Sequence, residues 1–500
     1  MGQKVLRPWT LKPVLRDAPG TAVYVQIAHA IVRDIQRGRL KPGAVLPSSR
    51  EFAALLDVNR KTVMLAFDEL VSQGWIVSQG RRGTFVSSEL PLPFRVARET
   101  RALPARMPPS EPAFDLRIRA TSLVPDLAGE VATSFSDGVP DTRLAPNAAL
   151  ARIQNAAMRS LGHRNRLSYG GQTGAPELRA SLADMLGSER GLSATLDEIC
   201  VTRGSQMAIY LVAQVLCQPG DTVVMEELSY PPAWEAFRHA GAEVVAAPMD
   251  EDGLDPVALE GICKSRRVAA IYLTPHHQYP TTRLMRMPRR LQLLELAERF
   301  RFAIVEDDYD HEFHFQRKPV LPLAASDHRG RAIYIGSLSK LLAPGLRCGY
   351  LVASRPFIRE VEKLVLLIDR CGNPVVEATL AEALGSGVIK RHAGRALRIY
   401  EQRLEHVADR LMRDFSAFLS FVKPAGGLAL WTRLRGGIDV DQLVVHARDQ
   451  GVFLVAGSRY SLTGSKVDAL RLGYASHSEL ELNALLDGLH RACHLAAIKN

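Results

Sequence analysis

The chain has 500 residues, 47% of them hydrophobic and 23% charged, and a formal net charge of +10. At roughly 100–200 residues per domain this length implies two to four units, and the composition excludes a disordered protein, a fibre and a small disulfide scaffold. Apolar runs such as Ile209–Leu216 and Leu364–Ile368 fall short of the about 20 residues that span a bilayer, and no secretory leader is evident, so a soluble, cytoplasmic protein is expected. The six cysteines (Cys200, Cys217, Cys263, Cys348, Cys371, Cys493) are scattered without a C-x-x-C pair. They are expected to be buried small apolar residues in a reducing cytosol, and no metal site is expected.

Residues 1–87 carry thirteen Lys and Arg against six Asp and Glu, so under a fifth of the chain holds most of the positive surplus. A basic terminal module on a nearly neutral body suggests a polyanionic partner, most often DNA. Tyr24, Ile27, Ala28, Ile31, Val32 and Ile35 recur every three to four residues and predict an amphipathic helix, stopped by Gly38 and Pro42-Gly43. Ser48 or Ser49 caps a short helix with Phe52, Leu55 and Leu56 on its apolar face, and Asp57-Val58-Asn59 makes the turn. The next helix spans Lys61–Gln73, with Val63, Ala66, Phe67, Leu70 and Val71 inward and Gly74 as its stop. Trp75–Val77 and Thr84–Val86 are β-rich and flank a basic hairpin, Gln79-Gly80-Arg81-Arg82-Gly83.

This order is that of a winged helix-turn-helix, placed at residues 20–88. Asn59, Arg60, Lys61 and Thr62 begin the third helix with groups suited to base edges in a major groove. Ser48, Ser49 and Arg50 sit where phosphate contacts fix register; Arg81, Arg82 and Gly83 form the wing. The stretch LKPGAVLPSSREFAALLDVNRKTVMLAFDELVSQGWIVSQGRRGTFV resembles the GntR family of winged-helix regulators. Residues 89–130 hold seven prolines, six arginines and six acidic residues. They read as a semi-extended linker.

From residue 131 to 500, apolar strand-like runs alternate with helical patterns: Ile199–Thr202 then Ser205–Leu216, Thr222–Glu226, Val244–Pro248, Ala269–Leu273, Ala303–Glu306, Ala332–Ile335 and Cys348–Val352. An α/β sheet flanked by helices is expected, with ligands at the carboxyl ends of its strands. There the sequence places a set of complementary groups. Lys340, behind Gly336-Ser337-Leu338-Ser339, suits Schiff-base chemistry. Ser337, Ser339 and Arg347 suit a phosphate, and Gly204-Ser205-Gln206 begins a helix directly after a strand. Asp307 suits a protonated pyridine nitrogen, Tyr309 a ring oxygen, and Tyr230 the face of a ring. Together they describe a pyridoxal 5′-phosphate (PLP) site. Each motif alone has a plainer reading: SLSK as a surface loop, EDDYD as a metal or structural cluster, Tyr230 as packing.

The body resembles fold type I aminotransferases. The whole chain resembles the MocR group of GntR regulators in PSSRE, YGGQTGAPELR, TRGSQMAI, TPHHQYPTT, VEDDYDHEF, GSLSKLLAPGLRCGY and LRLGY. The resemblance implies a mostly parallel sheet in a large part, about 165–370, and a smaller α+β part, about 371–500. It implies that Lys340 forms the internal aldimine with PLP, Asp307 pairs with the pyridine nitrogen, Tyr309 meets the ring hydroxyl and Tyr230 stacks on the ring. Gly204, Ser205, Gln206, His277, Gln278, Ser337, Ser339 and Arg347 complete the cofactor set, and Arg471 takes the α-carboxylate of an amino ligand.

There are departures. The family usually has Ser-His-Gln-x-Pro-x-Gly where this chain has His276-His277-Gln278-Tyr279-Pro280-Thr281-Thr282. Thr282 tolerates positive φ poorly, and His276 adds an imidazole near the ring that is expected to pack or face solvent, the alternative being that it tunes the cofactor. Ala145-Pro146 replaces the usual Phe-Pro; no arginine directly follows Tyr230 to grip a second carboxylate, and Arg238 is the nearest that could reach inward. The expected function is a PLP-dependent DNA-binding transcriptional regulator sensing an amino compound or PLP itself. The alternative is a working aminotransferase with an appended DNA-binding domain. Expected partners are double-stranded operator DNA, a small amino effector and a second copy of the chain.

Overall fold

The computed structural model describes residues 21–91, 115–116, 121, 134–135, 137–315 and 320–497. The chain divides into two compact units, Met1–Ile118 and Arg119–Asn500. Most of the stretch expected as a linker lies outside the described residues.

In the first unit α1 (Val23–Gln36) buries Ile27, Ala28, Ala30, Ile31 and Ile35, and the two-residue β1 (Val45–Leu46) follows. A capping box starts α2 (Ser49–Leu56): the Glu51 amide donates to Ser48 Oγ at 3.3 Å, and the Ser48 amide donates to the Glu51 carboxylate at 2.9 Å. Asp57 turns the chain at φ 55°. Asn59 then caps α3 (Arg60–Ser72) by accepting from the Lys61 amide at 2.8 Å. Phe52 and Phe67 stack with centroids 5.9 Å apart, on a core that includes Val63, Ala66 and Leu70. Val71, expected inward, is 43% exposed; Leu70 takes the inward slot, and the turn of about 100° per residue carries Val71 outside. Strands β2 (Ile76–Ser78) and β3 (Thr84–Val86) form the wing, with β3 central between β1 and β2.

The second unit runs α4 (Asn147–His163), α5 (Pro176–Arg190), β4 (Ile199–Thr202), α6 (Ser205–Leu216), β5 (Thr222–Glu226), α7 (Pro231–His239), β6 (Glu243–Ala247), the hairpin β7 (Met249–Asp250) and β8 (Gly253–Leu254), α8 (Pro256–Ser265), β9 (Val268–Leu273), α9 (Met287–Phe300), β10 (Ala303–Asp308), β11 (Ala332–Ser337), β12 (Gly349–Val352) and α10 (Arg355–Ile368). Then come α11 (Pro374–Gly385), α12 (Val388–Asp414), β13 (Leu419–Phe421), β14 (Ala429–Leu434), α13 (Val440–Asp449), β15 (Ala469–Gly473) and α14 (Glu479–Ala497).

Seven strands make one sheet in the order β4-β12-β11-β10-β9-β5-β6. Neighbours pair in parallel except at β12, which is antiparallel to both β11 and β4. Strand β5 is buried along its whole length, and β9 and β10 nearly so, because helices cover both faces and leave no position for an alternating polar residue. Strands β13, β14 and β15 form a smaller antiparallel sheet that shares one apolar core with α12, α13 and α14. This is the expected α/β body with a smaller α+β part. Among the described residues, no helix is long and apolar enough to cross a membrane.

Replacing Ser48 by Ala removes the side-chain half of the capping box. The expected loss is about 0.5–2 kcal/mol for α2, measured as faster amide hydrogen exchange at Phe52–Leu55 in the full chain.

Candidate functional site

The parallel strands deliver their polar residues to one end of the sheet. In β10 and β11 the register sets Asp307 beside Ile335 and Asp308 beside Gly336. Gly336 is required there, since a Cβ would meet the Tyr350 ring at 2.2 Å. Side chains alternate along β10: Asp307 accepts from the Tyr272 hydroxyl at 2.7 Å, and Asp308 accepts from the Tyr334 hydroxyl at 2.7 Å. Beyond the strand, Tyr309 donates to the His277 carbonyl at 3.0 Å.

Lys340 lies with its Nζ 4.6 Å from the Tyr309 ring centroid and donates to the Gly138 carbonyl at 3.3 Å. Burial lowers its pKa from the usual 10.5, against the pull of Asp137. Asp307 is pushed up to about 7, chiefly by burial, with Tyr272 and Lys340 opposing. Its second oxygen, Oδ1, is buried and has no partner among the described residues. A cationic ring nitrogen fits that oxygen in charge and in hydrogen-bonding sense.

The phosphate side is also open. Helix α6 begins at Gly204, which has φ 80° and no side-chain cap, so the first amides of the helix have no side-chain acceptor. A Cβ on Gly204 would lie 3.1 Å from the Arg347 guanidinium, which donates to the Arg203 carbonyl at 2.8 Å. Ser337 is buried at the end of β11. Ser339 bridges the backbone of Cys348, accepting from its amide and donating to its carbonyl, both at 3.1 Å. Gln206 donates to the Pro232 carbonyl at 3.1 Å, and its buried Oε1 has no partner among the described residues. The residues present therefore fit PLP at its ring nitrogen and at its phosphate.

Tyr230 precedes α7, and its ring meets Tyr279 edge-on at 5.1 Å. His277 and Gln278, expected among the cofactor contacts, are turned to other partners. His277 Nδ1 is 2.8 Å from Asp310, and Gln278 donates to Glu226 at 2.9 Å. Thr282 adopts φ 62° without a glycine, its amide donating to the Gln278 carbonyl at 2.6 Å. His276 does not face solvent: it is 2% exposed, and neither ring nitrogen has a hydrogen-bond partner among the described residues. Arg238 does not reach inward; it pairs with Glu235 at 3.1 Å and stays 42% exposed.

Arg471 is buried on β15, with its guanidinium carbon 4.6 Å from the Tyr279 ring centroid and a bond to the Pro280 carbonyl. Its Nε lies 2.9 Å from Asp137. That contact is an ion pair without hydrogen-bond alignment. Asp137 also accepts from the hydroxyls of Tyr279 and Tyr460. Sequence reasoning missed Asp137, Tyr272 and Tyr460. Each comes from a distant segment, and SFSDGVPD carries no period that flags its aspartate.

In the first unit Arg50, Asn59, Arg60, Lys61 and Arg82 are exposed, while Ser49, Thr62 and Gly83 are half-buried. Arg60 Nε donates to Ser49 Oγ at 3.2 Å, tying the starts of α2 and α3 together. The Arg81 side chain lies outside what is described.

Residues 132–489 match the family described as aminotransferase class I and II, and residues 23–86 match the bacterial regulatory proteins of the gntR family. The chain is 30% identical to the probable rhizopine catabolism regulatory protein MocR of Rhizobium meliloti, over 92% of this chain and 91% of that one. It is 33% identical to the HTH-type transcriptional regulator TauR of Rhodobacter capsulatus, over 88% and 90%. Among solved structures it resembles LysN, the alpha-aminoadipate aminotransferase of Thermus thermophilus complexed with N-(5′-phosphopyridoxyl)-L-leucine. The TM-score is 0.70 at 29% identity, covering 77% of this chain and 97% of that one.

A carboxyl raised from 3.8 to about 7 holds its proton better when folded. Its contribution to stability is therefore full below pH 3.8 and is lost as pH rises to about 7. Asp307→Asn does not titrate, so cofactor-free variant protein gains stability relative to the parent between those limits, read from paired denaturant midpoints across pH.

Proposed function

The chain belongs to the class I and II aminotransferase family and joins that body to a gntR-family DNA-binding module, as MocR-type regulators do; from this we propose that it is a PLP-dependent transcription regulator whose body senses an amino compound or PLP itself. The observation that carries the reading is one chain holding both sets of groups: Lys340, Tyr309 and Asp307 at the strand ends, and exposed Asn59, Arg60 and Lys61 at a helix start.

Bound PLP supplies an aldehyde that condenses with an amine and a ring that withdraws electrons. In this reading Lys340 is the amine that holds it. Asp307, oriented by Tyr272, keeps a proton on the ring nitrogen. Tyr309 meets the ring hydroxyl and Tyr230 covers the ring. The first amides of α6, with Ser205, Gln206, Ser337, Ser339 and Arg347, hold the phosphate. Arg471 receives the carboxylate of an amino effector, which takes the place of Asp137 on the guanidinium. An effector that binds one state of the body better than another shifts their populations, and a few kcal/mol suffice. A dimer formed through the body brings two winged helices to two half-sites.

The intact lysine, aspartate and arginine, with the likeness to LysN, support a second reading as a working aminotransferase. The regulator is favoured because the likeness to MocR and TauR extends over both modules, whereas that to LysN covers 77% of this chain.

With PLP added, the protein is expected to absorb in the near-visible and Lys340→Ala to abolish the band. An amino donor with a keto acid should give few turnovers, and sustained turnover would favour the enzyme. Binding to DNA from its own upstream region should weaken steeply with salt, and Arg60→Ala should cost about 1–3 kcal/mol in a gel-shift titration. Equal binding by residues 90–500 alone overturns the DNA assignment.

A further inference from the structure

We propose that His276, His277 and His314 form a binding site for a divalent transition metal of the zinc class. One ring nitrogen from each lies within 4.8 Å of those of the other two. The ring centroids are 4.8 Å apart for His276 and His277, 5.6 Å for His276 and His314, and 6.0 Å for His277 and His314. His276 and His277 are 2% and 1% exposed. Among the described residues, neither nitrogen of His276, neither nitrogen of His314, nor Nε2 of His277 has a hydrogen-bond partner. Buried polar atoms are rarely left so, and three converging imidazoles without partners call for a common acceptor of their lone pairs.

The surroundings fit a metal. His277 Nδ1 sits 2.8 Å from Asp310 Oδ1. With the proton on Nδ1, the Nε2 lone pair is free, as when a carboxylate orients a metal-binding histidine. Three imidazoles without a thiolate suit zinc or its neighbours, with a water completing a tetrahedron. Bonds of 2.0–2.1 Å place nitrogens about 3.4 Å apart in that geometry, within reach of small ring rotations. His314 is half-buried as a residue, with both ring nitrogens buried.

A second grouping, His276, Asp308 and His311, is less available. His311 Nδ1 is already held by Asp308 Oδ2 at 2.8 Å, and the Tyr334 hydroxyl donates to the same oxygen, so of this carboxylate Oδ1 alone is without a partner among the described residues. The site lies on the loop after β9 and the segment after β10 and uses neither Lys340 nor Asp307; of the residues expected to contact PLP it takes His277, whose ring is turned to Asp310.

The test uses the full chain without a histidine tag, stripped with a chelator and titrated with Co2+ alone, then Zn2+ alone. One equivalent per chain should bind, with the visible bands of tetrahedral Co2+, displaced by Zn2+. His276→Ser, which restores the residue usual there in the family, and His314→Ala should each weaken binding at least about tenfold with unchanged far-ultraviolet circular dichroism. Asp310→Asn should weaken it about 10- to 100-fold, and His311→Ala should leave it intact. Absence of saturable binding by the parent protein overturns the site, and so does equal binding by His276→Ser and His314→Ala. Loss in His311→Ala but not in His314→Ala overturns this set of ligands.

Discussion

A parallel sheet covered on both faces tolerates few polar side chains along its strands, and the place left for them is where the strands end. Here that constraint gathers Glu226 at the exit of β5 and Glu306, Asp307 and Asp308 at the exit of β10, all nearly free of solvent. Two of them are held by backbone: Glu306 accepts from the Leu323 and Ala324 amides at 2.8 Å, and Glu226 accepts from the Leu254 amide at 3.0 Å. Burial pushes both up to about 7. Asp307 and Asp308 differ, since each keeps one buried oxygen, Oδ1, without a hydrogen-bond partner among the described residues, which sets them apart from the two carboxyls that brace loops.

The two units use the start of a helix in opposite ways. In α3 the Asn59 side chain satisfies an early amide, so the helix start is closed and what it presents outward is side chains. In α6 the capping position is Gly204, with no side chain to offer, so the amides themselves remain for an anion. The same backbone feature thus serves recognition through side chains in one place and through main chain in the other, and the residue at the cap makes the difference.

Much of this was legible because it is local. Lys340 follows its strand by three residues, Asp307 and Tyr309 share one strand end, and the apolar face of α1 repeats every turn. What escaped the sequence is contributed across long separations or in short pieces. Strand β1 has two residues, too few for any period. Val71 is apolar but lies just past the buried stripe of α3. Buried Arg190 bonds the hydroxyls of Tyr334 and Tyr350 and the Glu312 carboxylate, a network joining α5 to β11 and β12 that no single segment announces. The histidines at 276, 277 and 314 meet only because adjacent strands end side by side, and Thr282 holds a backbone conformation that glycine would adopt more easily.

The aspartate already resting on the buried arginine of β15 has a bearing on selectivity. An anion arriving there exchanges one counter-charge for another instead of neutralising a bare cation, so the net electrostatic gain is small. A simple amine forgoes little by comparison. In the proposed reading, where Arg471 receives a ligand carboxylate, preference between amines and amino acids would thereby be compressed, and discrimination would pass to the shape and apolar character of whatever else the ligand carries.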